Sequence, residues 1–147
     1  DRDARGLRRL AALAERHGLA RRLTTKVARL TSPGDLLAAA SEAAPDDASR
    51  GRPPVAGFDL VLCARFLHRP TLRELPSLLR PRTGLLMYHT FLEGNEHPTG
   101  EEHVLRSGEL GQLFAGECEV LRDDELRIAD GRLLTFFVAR RRESSET

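Results

Sequence analysis

"FDLVLCARFLHRPTLRELPSLLRPRTGLLMYHTFLEGNE", residues 58–96, is the stretch on which the fold turns. An apolar run from Phe58 ends at the small residue Ala64, and a helix-like segment follows. A second apolar run, Gly84 to Phe91, ends in polar side chains and leads into a loop of Gly, Asn, Glu and His. Short apolar runs separated by a helical segment read as neighbouring parallel strands, buried on both faces. Ligands of such sheets sit beyond the C-terminal ends of the strands. Ala64, Arg65 and His68 follow one such end; His89, Thr90 and Asn95 end or follow the next.

Between the two runs, Thr71 and Glu74 have capping-box spacing, and Pro76 removes a backbone donor that a regular helix would use. Upstream, "DRDARGLRRLAALAERHGL" places Leu7, Leu10, Leu13 and Ala14 at helical spacing, with Asp3 to cap the start and Gly18 to end it. "LTTKVARL", Leu23 to Leu30, predicts a strand closed by the Thr31–Gly34 turn cluster. "GDLLAAASEAA" predicts a helix with Asp35 at its positive end.

Residues 45–57, "PDDASRGRPPVAG", concentrate turn formers and predict a flexible loop insertion. Downstream, "SGELGQLF" predicts a helix capped by Ser107, with Glu109 in its first turn. "CEVLRDDELRI" and "RLLTFFVARR" flank Asp130 and Gly131, a tight-hairpin signal, so the last two strands are expected to pair antiparallel. Residues 1–142 then make one α/β domain, an open sheet with helices on both faces and one reversed strand at an edge, followed by a frayed tail, 143–147.

Composition narrows the class. The chain has 147 residues, 40% of them hydrophobic and 31% charged, which suits one soluble domain. Its apolar runs fall far short of the ~20 residues a membrane helix needs, so a soluble, cytoplasmic protein is expected. The net charge of +1 gives no electrostatic case for nucleic acid, although the basic residues are 22 Arg and 1 Lys. With 1 Tyr and no Trp for base stacking, no nucleic-acid partner is expected. Cys63 and Cys118 lack paired spacing and read as core thiols rather than a disulfide or zinc framework. His89, His97 and His103, interleaved with Glu93, Glu96, Glu101 and Glu102, match no compact ligand motif; they read as a polar loop, and no metal is expected.

The phrases "FDLVLCARFLHRP", "GLLMYHTFLEGNE", "LRSGELGQLF" and "DGRLLTFFVARR" resemble class I S-adenosylmethionine-dependent methyltransferases, and within them the small tellurite-resistance type. The resemblance implies a Rossmann-like sheet whose first strand and Gly-rich cofactor loop would lie ahead of Asp1, so relative to the family the chain is expected to be N-terminally truncated. It implies S-adenosylmethionine as cofactor and a small-molecule methyl acceptor as partner.

By the same resemblance Asp1 matches the acidic residue that meets the ribose hydroxyls. Where the family often has an adenine-binding Asp, this chain has Arg29, whose guanidinium has donors and no acceptor. Adenine contact would then fall to Leu30, Thr31 or backbone groups. Ala64 and Arg65 match the strand end beside the cofactor's methionine part and reactive methyl.

Arg65, His68 and Asn95 are the candidate acceptor contacts, and His89 is the candidate proton acceptor. Bland readings compete at several positions. Asp1 also reads as an exposed terminal charge, Arg65 as a surface ion-pair partner, and His68 as a brace for the turn before Pro70. The alternative for the whole chain is a non-catalytic Rossmann-like binding or scaffold module without cofactor affinity.

Overall fold

The structure is a computed structural model that describes residues 1–43 and 57–143. The expected loop at 45–57, apart from Gly57, and the tail beyond Glu143 lie outside the described residues.

Helix α1 spans Ala4–Arg16, with the Asp3 carboxylate accepting from the N–H groups of Arg5 and Gly6. These are donors that the first turn cannot satisfy internally. Gly18 leaves the helix at φ 68°, a backbone conformation that glycine adopts without steric cost. A short 3-10 turn, Ala20–Arg22, follows. Helix α2 spans Asp35–Ala43, and its Leu36 and Ala40 pack against the core.

The strands are β1 (Leu60–Ala64), β2 (Leu85–Phe91), β3 (Cys118–Arg127) and β4 (Leu133–Arg141), in the spatial order β1-β2-β4-β3. β1 and β2 are parallel, as the spacing of their apolar runs predicts; β4 is antiparallel to both β2 and β3. Between β1 and β2 run helix α3 (Arg69–Leu72) and a 3-10 turn (Leu75–Leu78); helix α4 (Glu109–Phe114) precedes β3.

The core lies on one face of this sheet. Leu86 and Tyr88 of β2 and Phe137 and Ala139 of β4 alternate inward, and the register sets Leu86 beside Ala139 and Tyr88 beside Phe137. Leu72, Leu75, Leu78, Leu79, Leu110 and Phe114 cover them. The Phe114 and Phe137 rings meet at 5.9 Å between centroids, tilted by 40°, a favoured aromatic geometry. Each such side chain contributes about 1.5–3 kcal/mol by leaving water.

Several expectations are corrected. Leu23–Leu30 is not a strand: it joins no ladder among the described residues, Leu23 N–H donates to the Ala20 carbonyl at 3.4 Å, and Ala28 N–H donates to the Asp1 carbonyl at 2.9 Å. β-branched composition favours extension, yet a strand exists only with a ladder partner. Among the described residues, helices on both faces are not found either. Leu60 and Leu62, on the face away from the core, are 50% and 62% exposed, so no described helix buries them.

The reversed strand is not at the edge. β4, the more apolar of the last two, is inserted between β2 and β3, and the charged β3 takes the edge, where charges discourage further pairing. The hairpin connection also runs longer than the two residues expected. Arg127 pairs with Leu133, so residues 128–132 form the turn, closed by Gly131 N–H to Ile128 O at 2.8 Å.

Two caps differ as well. Thr71 lies buried inside α3 and its hydroxyl donates to the His68 carbonyl, while Glu74 turns away to Gly34, so no capping box forms. Pro76 stands in the separate 3-10 turn, which is how the chain accommodates its missing donor. At α4 the cap position is Gly108, at φ 68°, and Ser107 instead donates from its hydroxyl to Glu125 at 2.5 Å.

Candidate functional site

The C-terminal ends of β1 and β2 form the centre of the site. Ala64 stands opposite His89 in the register, and Arg65 N–H donates to the His89 carbonyl at 2.8 Å. β1 stops there because Arg65 takes φ 53°, a left-handed conformation that cannot continue a strand. In β2 the odd-numbered residues face away from the core, so His89 and Phe91 share the face on which Ala64 and Leu62 are exposed. The guanidiniums of Arg65 and of Arg132, which lies in the turn before β4, each stand 4.7 Å from the centroid of the Phe91 ring.

A groove of about 460 Å³ opens beside these ends, lined by Leu67, His68, Arg69, Pro70, Glu101 and Glu102. One cation fastens its wall. Arg69 donates through Nε and Nη2 to the two carboxylate oxygens of Glu109 at 2.7 and 2.9 Å, and through Nη2 to the Val104 carbonyl at 2.9 Å; its Nη1 donates to the Glu101 carbonyl. A bidentate guanidinium–carboxylate pair fixes orientation as well as distance. The paired Arg69 holds the Glu109 carboxyl below the usual glutamate range, and the Arg106 N–H adds to the effect.

His68 is half-buried at the start of α3, its Nδ1 3.2 Å from Thr71 Oγ1. The Thr71 hydroxyl donates to the His68 carbonyl at 3.0 Å, which leaves its oxygen free to accept from Nδ1. The loop of residues 31–35 lies within electrostatic reach of this ring. Asp35 accepts from Thr31 N–H at 2.7 Å, Ser32 N–H at 2.8 Å and the Thr31 hydroxyl at 3.1 Å. Those N–H groups hold its carboxyl below the usual aspartate range, with a smaller contribution from His68. Glu74 accepts from Gly34 N–H through one carboxylate oxygen, and its other oxygen is buried without a partner. The loop is thereby tied to the segment that follows α3.

The structure brings Ala64, Arg65 and His89 together; Thr31 bonds to Asp35, whose carboxyl also feels the charge of His68. Asp1 belongs to a different group. Its carboxylate accepts from Asp3 N–H at 2.9 Å and its backbone bonds to Lys26 and Ala28, in the segment that leads to Leu30. Asn95 is a clamp. Its amide donates to the Leu92 and Leu133 carbonyls at 2.9 Å each and accepts from Leu133 N–H at 2.7 Å, joining the end of β2 to the start of β4.

Phe91, Arg132 and Arg69 are the site residues that sequence reasoning missed. Arg132 follows the Asp130–Gly131 turn signal, and only the insertion of β4 beside β2 carries it to Phe91. The acidic residues that stay within reach of a pairing partner at helical spacing are legible in sequence; Arg69 and Glu109, forty positions apart, are not.

Fold and site together define an open mixed α/β sheet that gathers polar groups beyond the carboxyl ends of a parallel strand pair. No protein-family model matches the chain. It is similar to a protein of Schizosaccharomyces pombe (strain 972) that bears the name Uncharacterized protein UNK4.09, at 38% identity over 93 residues. The match covers 58% of this chain and 27% of the relative, so the chain spans about a quarter of that protein's length.

Proposed function

We propose that this chain is part of an S-adenosylmethionine-dependent methyltransferase domain that transfers a methyl group to a small molecule. The observation that supports it best is the side-by-side ending of β1 and β2, which sets Ala64, Arg65 and His89 at one point beyond a parallel pair. The β1 side away from β2 has no ladder partner among the described residues. That open side is where the first strand and Gly-rich loop of the resembling family would join.

The residues present fit the methionine side of the cofactor. Ala64 is exposed and small, which admits close approach, and Arg65 is exposed with donors suited to a carboxylate. In this reading Asp1 meets the ribose, and Leu30 and Thr31 border the adenine. The cofactor, when bound, supplies a methyl group on a sulfonium. The protein's part is to hold the acceptor in line with that methyl. Arg65 and His68 orient the acceptor, and His89, half-buried at the strand end, takes its proton.

Arg29 favours a second reading, a non-catalytic binding or scaffold module. Its guanidinium offers adenine no acceptor, and the segment that carries it stands outside the sheet.

Calorimetric titration of S-adenosylhomocysteine separates the two. It is run on this chain and on a longer form that supplies a strand and a Gly-rich loop ahead of Asp1. Binding to the longer form supports the methyltransferase reading. A folded longer form that takes up no ligand overturns it, with Arg29→Asp as the first change to make.

A further inference from the structure

Residues 93–104 form a strap that leaves the end of β2 and returns beside its own start. Its feet are joined: Leu92 and Leu105 bridge in parallel, Glu93 N–H donates to the Leu105 carbonyl, and Leu105 N–H donates to the Phe91 carbonyl, each at 2.9 Å. Compact surface loops with ends this close often carry function. Leu92 and Val104 are buried, but no residue from 93 to 103 is, so the span between them has no apolar anchor in the core. Few buried contacts are the mark of a segment that opens locally, ahead of the fold as a whole.

Past the Asn95 clamp, one side chain fastens the strap. Arg69 donates through Nη1 to the Glu101 carbonyl and through Nη2 to the Val104 carbonyl at 2.9 Å. The one further bond from this span to the rest of the described residues is the ion pair of Glu101 with Arg106, at 3.6 Å. Those two side chains are 87% and 70% exposed, and such pairs contribute little. The other contacts stay within the strap: His103 N–H donates to the Gly100 carbonyl at 2.8 Å, and its ring faces Glu102 at 3.5 Å.

Glu109 holds Arg69 in turn. Its two oxygens take Nε and Nη2, which fixes the planar fork and aims the remaining N–H groups at the strap carbonyls. The strap is also a wall of the groove. Glu101 and Glu102 line it from the strap, and residues 67–70, Arg69 among them, line it from the start of α3.

We propose that residues 93–104 are a movable gate of the groove, and that Arg69, oriented by Glu109, is the latch that holds this gate against residues 67–70. Arg69 and Glu109 are then positioning residues for whatever the groove takes. The gate does not rest on the methyltransferase reading; its test needs no cofactor, so either can fail alone.

The test is limited proteolysis of the 147-residue chain with a protease that cuts after glutamate, beside histidine modification by diethyl pyrocarbonate, both read by mass spectrometry. Glu96, Glu101 and Glu102 report the strap, and Glu119 and Glu125 in β3 report global unfolding. His68 reports access to the groove, with the exposed His17 as reference. Arg69→Lys, which keeps the charge and loses the fork, and Glu109→Gln should each speed strap cleavage and His68 modification at least tenfold. The β3 sites and His17 should change less than twofold, and Arg106→Gln should change every rate less than twofold. Strap cleavage that neither latch variant accelerates, or that Arg106→Gln accelerates equally, would overturn the latch. His68 modification that does not rise with strap cleavage would overturn the gate. The unaltered chain supplies a check that no variant's folding can obscure: in low urea, strap cleavage should stay nearly constant while β3 cleavage rises, because local opening exposes little surface. Equal urea dependence would mean that the strap opens only with the whole fold, and the proposal would fall.

Discussion

Ala64 and His89 stand opposite each other in the parallel register of β1 and β2, locked by the hydrogen bond from Arg65 N–H to the His89 carbonyl at 2.8 Å. The lock fixes the imidazole's backbone beside a small residue at a strand end. If His89 takes the acceptor's proton, His89→Ala in a cofactor-binding form should lower turnover about 100-fold or more. Affinity for S-adenosylhomocysteine should be unchanged. Steady-state kinetics with unaltered turnover would remove His89 from the mechanism.

The Arg69–Glu109 pair ties α3 to the start of α4 and to the loop above the groove. Glu109→Gln is expected to destabilise the chain by about 1–2 kcal/mol at neutral pH, since a charged hydrogen-bonded partner is lost. The Glu109 carboxyl lies below its ordinary range in the folded state, so its contribution is present above that range and is lost as pH falls through the depressed value. As pH falls from neutral through and below the ordinary glutamate range, the native chain should therefore lose more stability than the Gln variant. Urea denaturation at each pH measures the difference, and parallel losses would contradict it.

Among the described residues β1 has an open edge and, at Leu60 and Leu62, an apolar face that is 50% and 62% exposed. Uncharged open edges of this kind promote association. Leu62→Lys should reduce light scattering and concentration-dependent association while changing folding stability by no more than about 0.5 kcal/mol, the usual range for exposed positions. A native chain that stays monomeric at high concentration and melts cooperatively would count against an exposed, adhesive edge.

Tyr88 is buried in the core and its hydroxyl donates to the Phe66 carbonyl; burial, foremost, pushes its phenol far above the ordinary tyrosine range. Tyr88→Phe keeps the ring and orphans that carbonyl, at a cost of about 1–2 kcal/mol. Phe137→Ala removes a fully buried ring opposite Tyr88 and should cost about 3–5 kcal/mol. Thermal unfolding of the two variants ranks them, and equal losses would mean that the cavity at Phe137 collapses.

Alternation and turn chemistry were enough to read much of this fold. The β1 and β2 runs, the Asp3 cap, the Gly18 stop and the antiparallel pairing of the last two strands were all legible, because each rests on residues close in sequence. Leu23–Leu30 misled because β-branched residues set local extension only, whereas a strand needs a neighbour to bond. Thr71 and Glu74 misled for a related reason: the buried hydroxyl found a nearer carbonyl, and Glu74 found a partner forty residues away at Gly34.

By itself the sequence determined the α/β character of the chain and the strand-end positions of Ala64, Arg65 and His89, through periodicities that act over a few residues. Tertiary structure alone decided that β4 enters between β2 and β3, that the core occupies one face, and that Arg65 and Arg132 meet on Phe91. Sheet order follows from which strands can bury apolar faces against each other across long loops. The charged β3 could lie at the edge and the apolar β4 could not, and that difference carried Arg132 to the site.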